Sequence, residues 1–194
     1  MIDTFSPNSA ARPAQSPPVS ASLDSRASPL FLRESEIRRG IELLYFGYAN
    51  MIRGADAILD ERALGRAHHR ALYFIARRPG LPVFELLRLL AITKQSLSRV
   101  LADLMTQGLV RQETGTLDRR QRLLHLTDAG AALEDSLFAA LRERMAGAYG
   151  MAGQQAVTGF WSVLSGLIPI EDRAMIDALD QTDLANPKGQ QAPG

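Results

Sequence analysis

One segment, residues 93–130, constrains the fold of this 194-residue chain more than any other. It reads TKQSLSRVLADLMTQGLVRQETGTLDRRQRLLHLTDAG. Apolar residues three and four apart predict a helix that begins after Thr93, a good N-cap residue, and ends near Gly108, a residue suited to the αL conformation. Two short strand candidates, 109–113 and 122–126, are joined by a polar loop and then predict a hairpin. This order is typical of a winged helix-turn-helix.

Apolar periodicity elsewhere predicts further helices, with Ser35 as a candidate cap of the first and Thr127 as the cap of the one after the hairpin. Pro82 is expected to start the short helix that precedes the turn Ala91-Ile92. The predicted helices lie at residues 32–64, 66–77, 82–90, 128–149 and 154–167, with a short continuation at 171–179.

Composition divides the chain into five regions. Residues 1–30 are rich in proline and serine and are predicted to form a disordered arm, and residues 182–194 a disordered tail. Between them we expect an N-terminal dimerisation helix at 31–66, a winged helix-turn-helix lobe at 67–127 and C-terminal dimerisation helices at 128–181. The predicted fold class is therefore mainly α, with a two-stranded wing on the lobe.

Positive charge is concentrated in the lobe. The whole chain has 22 Lys and Arg against 21 Asp and Glu, for a net charge of +1. Residues 66–127 contain eleven basic and four acidic residues, a net charge of +7, so the remainder has a net charge of −6. A local excess of cations attracts a polyanion, although a chance fluctuation on a solvated surface has the same appearance. Together with the motif, the charge favours double-stranded DNA as the partner.

The polar side of the 93–108 helix is the candidate base-reading surface. A helix in the major groove contacts bases mainly through its first two turns. Arg99 can bind guanine O6 and N7, Gln95 can bond adenine, and Lys94 suits a phosphate near the helix N-terminus. Any amphipathic surface helix has a polar side. Here, however, the preceding short helix and turn are expected to make the 93–108 helix project from the surface of the domain. The candidate residues are Thr93, Lys94, Gln95, Ser96, Ser98 and Arg99.

The hairpin loop supplies the second candidate contact. Arg119 and Arg120 can reach a narrow minor groove or pair with flanking phosphates. DNA would repel Asp118, so we expect it to pair with a nearby arginine and hold the loop in shape. Two arginines in a loop are weak evidence alone, but they follow directly after a candidate reading helix.

The sequence here resembles the MarR family of bacterial transcription regulators. The resemblance is carried by residues 86–130, where a helix-turn-helix leads to Gly108-Leu109-Val110, then Asp118-Arg119-Arg120, then Leu126-Thr127-Asp128-Ala129-Gly130. This matches the family's DRR followed by LTxxG. The resemblance implies a homodimer whose terminal helices intertwine while two winged lobes bind a pseudopalindromic operator. It places Lys94 through Arg99 on the reading helix and Arg119 with Arg120 on the wing.

Dimerisation is also expected from the apolar sides of the terminal helices, which one lobe is too small to cover. Pairing two chains would set two reading helices about 34 Å apart, one turn of DNA. The alternative is an intramolecular helical bundle. The apolar residues in question are Ile41, Leu44, Ile52, Leu133, Leu137, Leu141, Phe160, Trp161, Leu164, Leu167 and Ile168.

The family resemblance also implies a small, commonly aromatic or phenolic effector between the dimer helices and the lobe. The principal candidates are Tyr45, Tyr48, His69 and Tyr73, with Asn50, His68 and Arg70 beside them. The tyrosines are equally well explained as ordinary packing residues, and the sequence names no effector.

Catalysis and metal binding find little support. The chain has no cysteine, which excludes disulfides and thiolate metal sites. His68 and His69 are adjacent, so on a helix they point about 100° apart and do not readily share one ion. No apolar run approaches the roughly 18 residues of a membrane span. We expect no enzyme activity and no cofactor, and a cytoplasmic, nucleoid-associated protein.

The expected function is that of a sequence-specific, ligand-responsive regulator, acting as a repressor. The rival hypothesis is a winged helix that serves as a protein-interaction module and has no intrinsic DNA specificity.

Overall fold

The computed structural model describes residues 32–115 and 118–185, and it is mainly helical. The predicted arm, residues 1–30, and residues 186–194 of the predicted tail lie outside the described residues. The helices are α1 Glu34–Asp60, α2 Arg66–Arg77, α3 Val83–Leu90, α4 Lys94–Thr106, α5 Asp128–Ala152, α6 Gln154–Leu167 and α7 Ile170–Ala185. The strands are β1 Leu81–Pro82, β2 Val110–Thr114 and β3 Arg122–Leu126.

Local capping chemistry explains where the central elements begin and end. Thr93 and Thr127 are the N-caps of α4 and α5, and each accepts a backbone N–H three residues later through its side chain. Gly108 has a φ of +67°, which glycine adopts without a side-chain clash. Ser35 is not a cap, because α1 already begins at Glu34.

The sheet has three antiparallel strands in the order β1-β3-β2. The predicted wing is confirmed as β2 paired with β3, with Val110 opposite Leu126 and Thr114 opposite Arg122. The third strand was not predicted: β1 is two residues long and ends at Pro82, and it pairs Leu81 with Leu124. A pattern of alternating residues cannot be recognised in so short a strand.

The hydrophobic core lies inside the lobe and is completed by both flanking helices. Leu72 and Ile75 of α2 are fully buried, as are Leu86 of α3, Leu104 of α4 and Leu124 of β3. Leu59 of α1 and Leu137 of α5 belong to the same core cluster. The reading helix is therefore supported from behind by packed side chains.

The structure separates into two compact units between Glu42 and Leu43, within α1. In the described part of the first unit, residues 32–42, Arg38 pairs with Glu34 one turn earlier. Ile37 and Ile41 are exposed there. The second unit contains the lobe and the C-terminal helices.

The apolar residues predicted to need a partner chain differ in their exposure. Leu44, Phe160, Trp161 and Leu167 are exposed, with Trp161 at 56% and Leu167 at 66%. The prediction was wrong for Ile52, Leu133 and Leu137, which are buried within their own chain. Packing of α5 against α2 covers the beginning of α5, so those leucines serve the lobe core.

The C-terminal helices α5 and α6 are held together by aromatic side chains. Trp161 Nε1 donates to the Tyr149 hydroxyl at 2.9 Å, and the Tyr149 ring contacts both Phe160 and Trp161 edge-on. Helix α7 continues to Ala185, so residues 182–185, predicted as disordered tail, are helical. Residues 170–186 contain no glycine or proline, and Pro187 disfavours helix in the residue before it.

Candidate nucleic-acid interface

The first half of α4 presents its polar side to solvent, as predicted. Thr93, Lys94, Gln95, Ser96, Ser98 and Arg99 are all exposed. Leu97, Val100 and Leu101 face the core instead. One helix therefore separates a buried apolar side from an exposed polar side, which is the arrangement required of a helix that enters a groove.

The exposed residues of α4 are not equally available. The Thr93 and Ser96 hydroxyls lie 2.9 Å apart, and Thr93 also accepts the Ser96 N–H at 3.1 Å, so both contribute to the cap. In the described part of the chain, Lys94 and Arg99 have no ion-pair partner. Their charges remain available to a ligand, and a helix N-terminus adds a partial positive charge.

Two side-chain bonds anchor the second half of α4 to the α1–α2 junction. His68 Nε2 lies 3.1 Å from Asp103 Oδ2, and Gln107 Nε2 donates to the Arg62 carbonyl at 3.1 Å. Across the same junction Arg66 forms a two-bond ion pair with Asp56 of α1, at 2.8 and 3.0 Å. These bonds orient the reading helix relative to α1 and α2.

The wing tip is shaped by the backbone rather than by an ion pair. Asp118 Oδ1 accepts the Arg120 backbone N–H at 2.9 Å, an Asx-type turn. Asp118 therefore pairs with a nearby arginine and holds the loop in shape, as predicted, but the donor is the backbone N–H of Arg120 rather than a guanidinium. Arg119 and Arg120 are exposed and have no ion-pair partner among the described residues.

The joint between wing and α5 explains the LTxxG pattern. Thr127 Oγ1 donates to the Gly108 carbonyl at 2.6 Å and accepts the Gly130 N–H at 3.1 Å. A Cβ atom at Gly130 would lie 1.9 Å from the Leu109 carbonyl oxygen. Glycine is therefore required there because the backbone of Leu109, just before β2, approaches α5 too closely for any side chain.

A second feature is an open cavity of about 200 Å³ that is lined by residues of α1, α2 and α5. Its lining includes three of the four predicted effector residues, Tyr48, His69 and Tyr73, and also Arg70. Tyr45 is 70% exposed and does not line it. The remaining lining residues, which the sequence interpretation missed, are Met51, Ile52, Phe74 and Leu141. No local signal marks Leu141, because it joins the site through the packing of α5.

The cavity lining includes a buried polar residue, His69. His69 is only 7% exposed, and its burial lowers the pKa of its imidazole, while Asp56 acts in the opposite direction. Burial therefore favours the neutral imidazole of His69, and Arg70 supplies a guanidinium to the lining. Asn50 and His68 make their bonds elsewhere, to the Phe46 carbonyl and to Asp103.

The family relationship can be decided by comparison with known proteins. A model described as the MarR family matches residues 64–121, which include α2, α4 and the first wing strand. The HTH-type transcriptional regulator PetP of Rhodobacter capsulatus is 50% identical over 139 residues, covering 72% of this chain and 84% of PetP. The chain belongs to the MarR family. It is accordingly a transcriptional regulator with a winged helix-turn-helix.

Solved MarR-family structures have the same fold. A mutant MarR from E. coli complexed with operator DNA matches with a TM-score of 0.56 at 22% identity, over 73% of this chain and all of that one. NadR in complex with 4-hydroxyphenylacetate matches with a TM-score of 0.56 at 21% identity, over 82% of this chain and 99% of that one. At these low identities, the similarity to the solved structures shows the fold of this chain and nothing more.

The described residues contain neither a candidate membrane-spanning helix nor a cluster of metal ligands. None of their helices combines the length and the apolar character needed to cross a bilayer. None of their His, Asp and Glu side chains gather in threes as a metal site would require.

Proposed function

We propose that this protein is a sequence-specific, duplex-DNA-binding repressor that acts as a homodimer on a pseudopalindromic operator. Residues 67–127 form the DNA-binding lobe, and residues 31–66 and 128–181 form the dimerisation helices. As a DNA-binding regulator it acts in the cytoplasm, at the nucleoid. The contacts are assigned to Thr93, Lys94, Gln95, Ser96, Ser98, Arg99, Arg119 and Arg120.

The observation that carries this proposal is the pairing of two exposed cationic elements in one lobe. Lys94 and Arg99 lie on the polar side of α4, and Arg119 and Arg120 lie at the wing tip. A cationic side chain that forms no ion pair within the protein binds a phosphate more favourably, because no existing ion pair has to be broken first. A basic helix beside a basic hairpin fits a major groove and the neighbouring backbone.

The homodimer is supported by apolar side chains left exposed on the C-terminal helices. Helix α6 has four large apolar side chains that are each at least 39% exposed: Phe160, Trp161, Val163 and Leu167. A cluster of this kind is more typical of an interface than of a solvated surface. A two-fold interface would also present the two lobes symmetrically to a two-fold operator.

Ligand response is supported by the cavity formed by α1, α2 and α5. Its tyrosines and Phe74 suit an aromatic ring, and a ligand there would contact helices on both sides of the α1–α2 junction. NadR, a relative by fold, is known in complex with 4-hydroxyphenylacetate. We accordingly assign Tyr48, His69 and Tyr73 to a small aromatic effector.

Selection of bound duplexes from a random pool tests the proposal. We expect a pseudopalindromic consensus with half-sites about 10 base pairs apart. The reason is that the two symmetry-related reading helices would enter the major groove in successive turns, on the same face of the DNA. A gel shift on random duplex at low salt should show retardation that fades steeply as salt rises. No retardation at micromolar protein would instead favour the interaction-module hypothesis.

A further inference from the structure

The last helix, α7, is fastened to the lobe by Arg77, the final residue of α2. Arg77 Nη2 donates to the carbonyl oxygen of Leu179 in α7 at 2.9 Å, across 102 residues of sequence. The Leu179 side chain is only 8% exposed, whereas Asp177, two residues earlier, is exposed. Helix α7 therefore packs against the lobe of its own chain with one apolar side, and a guanidinium spans the contact.

A carboxyl group on α5 is coupled to the same guanidinium. Glu134 is partly buried, and burial followed by repulsion from Asp135 raises its pKa from 4.5 to about 7, while the charge of Arg77 acts in the opposite direction. Helix α5 packs against α2. Arg77 thus interacts with groups on two other helices, with the Leu179 carbonyl by a hydrogen bond and with Glu134 by charge.

Glu134 responds to few charged neighbours. Helix α6 contains no charged residue. Within the described part of the chain, the charges that act on Glu134 are those of Asp135 and Arg77. Other charged residues on adjoining elements include Arg122 and His125 of β3, whose partners lie on β2, and Asp177 and Asp180 of α7, which flank Leu179 in the sequence. The charge state of Glu134 is therefore set by its burial, by Asp135 and by Arg77.

Ionisation of Glu134 changes which acceptor the guanidinium prefers. A carboxylate is a stronger acceptor for a guanidinium than a neutral carbonyl is, whereas a protonated carboxyl group has no such advantage. Protonated Glu134 therefore leaves Arg77 on the Leu179 carbonyl, and ionised Glu134 competes for it. Since the proton is held more tightly while α7 is docked, docking is favoured below pH about 7 and weakens as the pH rises through that value.

We infer that α7 is a pH-responsive strap on the lobe: protonated Glu134 leaves Arg77 on the Leu179 carbonyl with α7 docked, and ionised Glu134 draws the guanidinium away and releases α7. Glu134 is the titrating group, Arg77 is the link and α7 is the element that moves. The inference requires neither DNA nor a small ligand.

Hydrogen exchange on the full-length protein tests the strap. Protection of the backbone amides of residues 176–179 should fall about tenfold between pH 6 and pH 8, after correction for the intrinsic pH dependence of exchange. Tenfold is the effect of a group with a pKa of about 7 that ionises across this range. The amides of the core residues Leu72 and Ile75 should stay far better protected than those of α7 at both values, which separates release of α7 from global unfolding.

Variants of the charged residues identify the groups responsible. Glu134→Gln, which cannot ionise, should keep at pH 8 the protection that the wild type has at pH 6. Asp135→Asn removes the repelling charge and should move the fall in protection to lower pH, since the pKa of Glu134 is then lower. Arg77→Gln should leave α7 poorly protected at both values. Glu143→Gln, which removes an exposed carboxylate from the same helix, should behave as the wild type.

Three outcomes would overturn the inference. The first is equal protection of residues 176–179 at pH 6 and pH 8 in the wild type, and the second is the same fall in Glu134→Gln as in the wild type. The third is an Arg77→Gln protein whose α7 amides stay as well protected as those of the wild type at pH 6. None of these measurements contains DNA, so failure to recover a duplex from the random pool would remove the proposed regulatory role and leave the strap standing.

Discussion

The imidazole of His68, in the first turn of α2, lies 3.1 Å from the carboxylate of Asp103 on the reading helix. Its other ring nitrogen, Nδ1, accepts the Gly65 N–H at 3.0 Å, so in the neutral ring the proton is on Nε2 and is donated to Asp103. One side chain thus caps α2 and holds α4.

This relationship predicts energetic coupling between the two residues. His68→Ala should lower the free energy of unfolding by about 1 kcal/mol, because both hydrogen bonds of the ring are lost. Urea unfolding of the two single variants and of His68→Ala with Asp103→Ala should give a coupling of at least about 0.5 kcal/mol. Strictly additive effects would contradict a direct bond.

Arg99→Ala should reduce base preference rather than general affinity. Loss of a two-bond contact to guanine is expected to cost about 1 to 3 kcal/mol at one position of each half-site. Anisotropy titrations on the selected duplex and on duplexes substituted at single positions would locate that position. Equal losses on selected and random duplexes would remove Arg99 from base reading.

Arg120→Ala should weaken binding to all duplexes to a similar extent, because the wing contacts phosphates. The slope of log K against log salt should fall by about 1 per subunit. Arg142→Ala is the matched control, since it removes an equally exposed charge from α5, outside the assigned contacts. A lost preference at a single base pair would instead place Arg120 among the base-reading residues.

Gly130→Ala should destabilise the protein by about 2 kcal/mol or more, the cost of forcing a methyl group into a filled site. The reason is the 1.9 Å that would separate the new Cβ from the Leu109 carbonyl oxygen. Gly147→Ala, in the same helix with no atom within 4 Å of its added Cβ, should stabilise by up to about 1 kcal/mol. Similar urea midpoints for the two variants would show that the Leu109 backbone can move away from α5 at little cost.

Glu134 predicts a pH dependence of stability. Burial, followed by repulsion from Asp135, raises the pKa of its carboxyl from 4.5 to about 7, and Arg77 opposes this. A raised carboxyl pKa stabilises the protonated folded state, so this contribution is present below pH about 4.5 and is lost as pH rises to about 7. Glu134→Gln should therefore be more stable than the wild type at pH 8, by up to about 2 kcal/mol, and nearly equal at pH 4. Urea unfolding at both values measures this, and an equal difference at the two would exclude the titration.

Elements with local signals were predicted well. Thr93, Gly108 and Thr127 mark helix ends, and each acts through contacts within a few residues of chain. The exposed side of α4 followed from helical periodicity, which requires no knowledge of the rest of the fold. The family pattern likewise depends on local geometry at Gly130, although the atom that excludes a side chain there belongs to Leu109.

Contacts between distant segments were not predictable in the same way. Ile52 and Leu137 were expected at a chain interface and are instead buried within their own chain, because periodicity tells which side is apolar but not what covers it. Tyr45 was assigned to the effector site and points elsewhere, while Leu141 lines the cavity. The periodicity of a helix shows which side is apolar, but it does not show which turns of that side contact a neighbouring element.

The sequence by itself determined the order of the elements, the polar side of the reading helix and the wing, since short-range sterics, capping and charge encode these features. The tertiary structure alone decided that Arg70 reaches the carbonyls of Leu89 and Leu90, that His68 meets Asp103 and that a cavity opens beside them. Those relationships depend on how helices pack across many intervening residues. Packing is set by the shape of the whole core rather than by any one segment.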